Sequence, residues 1–232
     1  MEAISSLIEL PESNSPTFSS KKLLLKKELF YVLGALLGDG CAYHWKKGNT
    51  KSLILIGDER LTKKYTEKLS KCSTNNVKNY IDRNKNIWFV RVGNITLYNL
   101  FKEIRLDLKK LESLIEKGNY KDNSIEFIEG FFDAEGCVKI IREKVRKTPK
   151  ICLDIANTNL EILNLIENLI RINLGINSKI SKQIDKRKNR KIMYHLRIYK
   201  KEDIGKFLKN IKTTKLKPEK IAYVDNWLNN GR

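Results

Sequence analysis

Apolar positions along this chain follow two periods, and the period switches in the same order twice. Residues 23–38 are mostly apolar around Lys26, Lys27 and Glu28, and 124–134 are mostly apolar around Glu126, Glu129 and Asp133, so both predict helices ending at an acidic, glycine-containing turn. Two strands are predicted to follow, near 41–47 and 51–57 in the first copy and near 137–145 and 149–156 in the second, short runs rich in β-branched and other apolar residues. Spacing then returns to three and four over 58–72 and 158–174, where Ile162, Leu165, Ile166 and Leu169 share one helical face. Two further strands are predicted near 76–82 and 86–93, and near 177–185 and 190–199, before one or two closing helices.

The recurrence extends to residue identity. Val32-Leu-Gly-Ala-Leu-Leu-Gly-Asp-Gly-Cys41 returns as Ile128-Glu-Gly-Phe-Phe-Asp-Ala-Glu-Gly-Cys137 at an offset of 96. Leu55-Ile-Gly-Asp answers Ile155-Ala-Asn-Thr at 100, and Ile81-Asp-Arg-Asn-Lys-Asn answers Ile184-Asp-Lys-Arg-Lys-Asn at 103. Arg91-Val and Arg197-Ile follow at 106, then Leu100–Ile104 and Phe207–Ile211 at 107. Offsets that grow slowly and never reverse indicate two copies of one unit with small loop insertions. The fold class is therefore α+β: two pseudo-symmetric αββαββα units, each with a four-stranded antiparallel sheet. The expected organisation is an arm at 1–20, a first unit at 21–118, a turn-rich linker at 119–123 and a second unit at 124–232.

Charge narrows the functional class. The chain has 232 residues, 46 Lys or Arg and 27 Asp or Glu, for a formal charge of +19. Residues 1–20 carry three acids and no base, so the remainder carries +22. Such an excess points to a polyanionic partner, most simply nucleic acid, because each neutralised phosphate releases a condensed counterion. The abundance of Lys, Ile and Asn indicates that codon bias contributes to it. No apolar stretch approaches the ~18 residues of a membrane span, which predicts a soluble protein with no membrane partner. The first 20 residues lack the basic start of a secretory signal and the arginines of a transit peptide. Four scattered cysteines and two histidines argue against a zinc site or a disulfide framework. The expected setting is a reducing cytoplasm, archaeal or bacterial, or an organelle if organelle-encoded.

The repeated helices place chemistry. Gly34 and Gly38 in the first, and Gly130 and Ala134 in the second, put small residues four apart on one face. Glycine inside a helix costs ~1 kcal/mol, so close approach of two backbones is the expected compensation. If the two helices pack on each other, Asp39 and Glu135 at their carboxyl ends come close together, where helix-end carbonyls also favour a cation. Two carboxylates, the carbonyl ends at Gly38 and Ala134, and a basic chain suggest divalent-metal phosphodiester hydrolysis.

At these residues the sequence resembles the LAGLIDADG homing endonucleases in their single-chain, two-motif form. Asp39 and Glu135 take the penultimate acidic place of the motif, with Gly40 and Gly136 after them and Gly34 and Gly130 within the helix. Leu37 departs from the motif's earlier acid, Asp133 keeps it, and Glu129 replaces a small residue. The resemblance implies motif helices at the domain interface and a saddle of two sheets lying in the major groove. It further implies acids binding Mg²⁺ (Mn²⁺ or Ca²⁺ in the same sites) over the minor groove. Hydrolysis would cut both strands and leave short 3′ overhangs, with a monomeric protein acting on double-stranded DNA.

The family also implies a basic residue near the start of each late helix, polarising active-site solvent. Lys217 fits in Lys215-Leu-Lys217-Pro-Glu, and register then points to Lys110, with Lys109 as its rival. A polar amide at the end of the second strand corresponds to Asn157, opposite Gly57 or Asp58 in the first copy.

DNA contacts are expected from alternate strand positions, since side chains two apart share a face. Tyr43, Trp45 and Lys47 form one such set, with Arg83, Lys85 and Arg91 beyond, while Arg142, Lys144 and Arg146 form another. The basic hairpin at 182–191, with Lys186, Arg187, Lys188 and Arg190, suits phosphate contacts, and Arg197 lies on the strand after it. A nine-residue strand at ~3.3 Å per residue would span about nine base pairs, giving a long, non-palindromic target of roughly eighteen. Two other functions fit the same fold: an intron-RNA maturase, and a DNA-binding regulator without cleavage.

Overall fold

The element order expected from the periodicity is observed in both copies. The structure is a computed structural model and describes residues 23–73, 77, 79–82, 87–142, 149–184 and 191–230. In chain order the first copy contains α1 (Lys27–Asp39), β1 (Gly40–Trp45), β2 (Thr50–Gly57), α2 (Glu59–Cys72), β3 (Asn79–Asp82), β4 (Ile87–Val92), α3 (Ile95–Leu106) and α4 (Leu108–Ile115). The second contains α5 (Tyr120–Glu135), β5 (Gly136–Ile141), β6 (Lys150–Asn157), α6 (Leu160–Leu174), β7 (Lys179–Gln183), β8 (Met193–Ile198), α7 (Lys201–Asn210) and α8 (Pro218–Asn230). Each copy forms one antiparallel four-stranded sheet, ordered β1-β2-β4-β3 and β5-β6-β8-β7. No helix among the described residues is long and apolar enough to cross a membrane.

Local chemistry sets the helix starts. The Asp58 carboxylate accepts from the Leu61 amide at 2.9 Å to cap α2, and Asn94 does the same for α3 through Leu97 at 2.9 Å. Asn159 caps α6 through the Glu161 and Ile162 amides. The left-handed Gly175, φ 59°, stops it. The four apolar positions expected from its spacing, Ile162, Leu165, Ile166 and Leu169, are all buried.

Among the boundaries that differ from the expected ones, three bear on the architecture. Helix α1 begins at Lys27, because residues 23–24 run extended and Leu23 bridges to Ser73. Helix α5 begins at Tyr120, so most of the expected linker is helical. The Asn119 side chain accepts from the Asp122 amide at 3.2 Å and caps a first turn that carries no apolar signal. Strand β5 ends at Ile141, six residues long, so the nine-residue span is corrected to about 20 Å at ~3.3 Å per residue.

By contacts the chain divides into residues 1–134 and 135–232. In the first unit the body of α5 packs on α1. A Cβ built on Gly34 would lie 2.3 Å from the Phe127 carbonyl oxygen, and one on Gly130 would lie 2.1 Å from that of Tyr31. The two helices thus touch backbone to backbone where both copies place glycine. Around this crossing Leu29, Phe30, Val32, Leu33, Phe127, Phe131 and Phe132 are fully buried, each contributing roughly 1.5–3 kcal/mol by leaving water. Leu53, Leu55, Val90 and Val92 turn one face of the first sheet into the same core. In the second unit Val138, Leu153, Ile155, Leu196 and Ile198 do so for the second sheet.

Candidate nuclease centre and nucleic-acid interface

Each motif acid ends its helix. Asp39 is the last residue of α1 and is exposed, while Glu135 is the last residue of α5 and is half-buried. Neither helix has a basic residue in its last turn. A carboxylate beside the negative end of a helix dipole is unfavourable unless a cation comes to it. Each helix end carries oxygen donors of the hard type that Mg²⁺ and Ca²⁺ prefer: the Asp39 carboxylate with the Gly38 carbonyl in one, and the Glu135 carboxylate with the Ala134 carbonyl in the other. No group of three or more His, Cys, Asp or Glu side chains able to hold a metal occurs among the described residues. A single acid per helix suits Mg²⁺, which keeps several waters and completes its shell with substrate phosphate. The donor chemistry at each helix end therefore fits such an ion.

Glu135 has an organised neighbour. The Asn157 Nδ2 donates to Glu135 Oε1 at 3.0 Å, while Asn157 Oδ1 accepts from the Asn159 amide at 2.8 Å. The amide is thus fixed at both ends, and it stands where the repeat places it, at the close of β6. Strand register puts Gly57 in the matching place of the first copy, since Gly40 pairs with Leu55 as Gly136 pairs with Ile155. Asp58, the other candidate there, is occupied in capping α2.

The motif's earlier acid points elsewhere. Asp133 is fully buried, accepts from the Tyr31 hydroxyl at 2.9 Å and pairs with Lys64 of α2 at 2.8 Å. Lys64 also reaches Glu129 at 2.9 Å, and Lys68 reaches Glu126 at 2.6 Å, one turn along each helix. Both lysines lie over the Tyr31 ring, 4.9 and 5.3 Å from its centre. Burial and the Asp133 charge push the Tyr31 hydroxyl well above its ordinary pKa, so it stays a donor. Burial also raises the Glu126 carboxyl, against the opposing pull of its Lys68 hydrogen bond. Glu129, which departs from the motif, and Asp133, which keeps its earlier acid, together form the anionic side of an α2–α5 lock.

Lys217 sits just before α8, its carbonyl accepting from the Lys220 amide at 2.8 Å, and is exposed. Lys110 lies within the first turn of α4, and its ammonium pairs with Glu103 at 2.9 Å. The place before α4 that matches Lys217 is held by Asp107, which caps α4 through the Lys109 amide at 3.0 Å. Both lysines lie near the start of a late helix, Lys217 just before α8 and Lys110 within α4, so they are not at equivalent positions.

The open faces of the two sheets differ in chemistry. On the first, Tyr43 and Trp45 are 47% and 50% exposed, and Arg91 lies 5.9 Å from the Tyr43 ring centre. Ile54, Ile56 and Phe89 share that face by register, and Tyr80 stacks on Phe89 at 5.3 Å. Lys47 falls in the turn after Trp45, where strand alternation has ended, so it does not extend that row. Arg142 is exposed just past the end of β5 and likewise leaves the strand face expected for it. Arg83, Lys85, Lys144, Arg146, Lys186, Arg187, Lys188 and Arg190 lie outside the described residues, as does the 1–20 arm.

On the second sheet the open face is ionic around Asp154, whose side chain is 2% exposed. Arg197 Nε donates to Asp154 Oδ1 at 3.2 Å, His195 Nδ1 lies 3.0 Å from the same oxygen, and Lys139 pairs with Oδ2. Burial alone would raise the Asp154 carboxyl, but hydrogen bonds from Lys139 and His195 outweigh it and hold the pKa below the usual aspartate value. Burial works against the Arg197 charge, yet the Tyr199 hydrogen bond and Asp154 hold its pKa above the usual arginine value. Arg197 is legible from the repeat, whereas Asp154 and His195 are not, because their partners are 15 to 43 residues away across strands.

Comparison with known proteins agrees with this architecture. A family model for the LAGLIDADG-like domain matches residues 122–212. An uncharacterised protein of Methanocaldococcus jannaschii, MJ0314, is 26% identical over 152 residues, covering 63% of this chain and 55% of that protein. The chain thus spans little more than half the length of the curated relative it matches. The homing endonuclease I-DmoI in complex with DNA and Ca superposes with a TM-score of 0.58 at 23% identity, covering 86% of this chain and 97% of that one. I-DmoI has also been solved with DNA and Mn (TM-score 0.55, 23% identity, 83% and 99% coverage). Full-length DUF199/WhiA from Thermatoga maritima superposes at 0.56 with 15% identity, covering 94% of this chain and 63% of that one. Residues 122–212 form a LAGLIDADG-like domain, and the whole chain is a two-unit protein of the LAGLIDADG fold.

Proposed function

We propose that this protein is a site-specific, divalent-metal-dependent double-strand DNA endonuclease. The observation that carries the reading is the recurrence, in register, of an acid at the carboxyl end of each motif helix, in a basic chain and with no base in either last turn. The likeness of the fold to I-DmoI, solved with DNA and with Ca or Mn, supports it. Asp39 and Glu135 would hold the ions with the carbonyls of Gly38 and Ala134, and Mg²⁺ would supply charge stabilisation at the scissile phosphate. Lys217 and Lys110 would polarise the solvent, and Asn157 would hold the Glu135 carboxylate in one orientation. The first sheet would contact DNA through Tyr43, Trp45 and Arg91, where apolar side chains suit thymine methyl groups. The second would contact it through Arg197, so the halves of the target should differ in sequence. The protein would act as a monomer inside the cell. To test this, the full chain is incubated with a randomised duplex library in Mg²⁺, and newly formed ends are sequenced. One recurring long site cut in both strands with 3′ overhangs is expected, and no cutting should occur in chelator. Random nicking, or no metal-dependent ends, would overturn it.

The Asn157–Glu135 contact adds a prediction of unequal strands. Asn157→Ala is expected to slow the strand cut by the Glu135 half by roughly 10-fold, the loss of about one charge-assisted hydrogen bond, and leave the other strand within about 2-fold. End-labelled duplex resolves the two rates, and equal slowing of both would refute a local role.

A further inference from the structure

The second sheet carries a buried acid on the face where a DNA-binding protein should carry none. A carboxylate there repels phosphate and must be paired to be buried at all. Its surroundings supply a reason. Resting on the reading of this chain as a duplex-DNA-binding protein, we propose that Asp154 is a positioning residue for sequence readout, holding Arg197, with Lys139 beside it, aimed off the second sheet at guanine.

Asp154 lies on β6, an inner strand, opposite Cys137 on one side and Arg197 on the other. It takes the Nε edge of Arg197 at 3.2 Å, while 28% of the Arg197 side chain remains exposed. A guanidinium tied at Nε and held by Tyr199 as well has its plane fixed, and its remaining N–H groups are the donors left for a ligand. Guanine presents O6 and N7 side by side in the major groove, the acceptor pair that such a fork fits. Fixing the side chain before binding also removes rotamer entropy that a free arginine would lose on docking. Lys139, tied to the other carboxylate oxygen, adds a second donor two residues from Cys137 on the same strand face.

The first sheet provides an internal comparison. In its matching register Ile54 stands where Asp154 stands, paired with Arg91 as Asp154 is with Arg197. Arg91 Nε reaches the Ser52 hydroxyl at 3.2 Å, and its guanidinium lies over Tyr43. The sheet therefore forms without an acid at this place. The acid is a property of one half only, and so is the arginine geometry it imposes.

The test uses the full chain and two variants, Asp154→Asn and Arg197→Lys, each first checked for a wild-type melting temperature. Binding sites are selected from a randomised duplex pool in Ca²⁺, and affinities for the selected site and for random duplex are then measured. Wild type should select a site with guanine in one half. Asp154→Asn should lose about 5- to 150-fold of discrimination at those base pairs only, the worth of one bidentate pair. Its affinity for random duplex should hold or rise, because an acid has been removed. Arg197→Lys should lose discrimination at the same base pairs, and it carries the test alone if Asp154→Asn does not fold. Unchanged base preferences in the variants would overturn the proposal. So would equal loss of specific and random affinity, which marks mere structural support, or a wild-type site without guanine in either half. If wild type selects no duplex, or prefers RNA, the functional reading fails and this proposal falls with it.

Discussion

Gly130→Ala is expected to destabilise the first unit by about 3 kcal/mol, at the upper end of overpacking costs, although Ala is the better helix former. The added methyl carbon would sit 2.1 Å from the Tyr31 carbonyl oxygen, 2.8 Å from its carbonyl carbon and 3.0 Å from its Cα. All three are backbone atoms of α1, so no side chain can rotate away. Restoring an ordinary C···O contact of about 3.3 Å needs the helices to part by on the order of 1 Å. That separation would loosen Phe127, Phe131 and Phe132, which are fully buried at the same interface. The same substitution at Gly205 in α7 should have the opposite sign. There the new methyl meets only the Leu228 Cδ2 atom at 3.5 Å, an ordinary contact, so the helix-propensity gain of up to about 1 kcal/mol survives. Urea midpoints of the two variants against wild type measure both. A Gly130→Ala protein as stable as wild type would mean the helices do not cross in backbone contact.

The crossing at Gly34 and Gly130 is also legible in the amino-acid sequence. The two glycines stand out because they recur at one offset in apolar helices, a signal that local sequence carries directly. The four strands of each sheet, the α6 face and the place of Asn157 follow in the same way from periodicity and repeat, whereas the order of the strands within each sheet comes from the structure. Charge is less legible, because the ionic contacts bridge segments that are distant in sequence. Asp133 is recognisable as a motif acid, yet its partner Lys64 lies 69 residues earlier on α2. Asp154 carries no sequence signal, since only strand pairing brings Lys139, His195 and Arg197 around it. The expected strands run past their true ends at Lys47 and Arg142 because alternation in a lysine-rich sequence continues into turns by composition alone.

Asp39→Asn is expected to reduce metal-dependent cutting by at least ~10³-fold while duplex binding persists, the worth of several kcal/mol of charge stabilisation by a bound ion. The substitution keeps the size of a side chain exposed at the end of α1, so packing is untouched, and losing a negative charge at the carboxyl end of a helix should hold or slightly raise the melting temperature. The sign of the binding effect separates electrostatics from structure. In chelator the wild-type carboxylate adds negative charge beside phosphate, so the variant should bind target duplex equally or more tightly. With Mg²⁺ present the wild type regains what the ion contributes, and the variant should not. Glu135→Gln should act alike on cutting, and its amide oxygen can still accept from Asn157 Nδ2, preserving the local geometry. Persistent double-strand cutting in both variants would sink the metal assignment. Parallel loss of cutting and of binding in chelator would instead assign the acids to folding, against their exposed and half-buried positions at the helix ends.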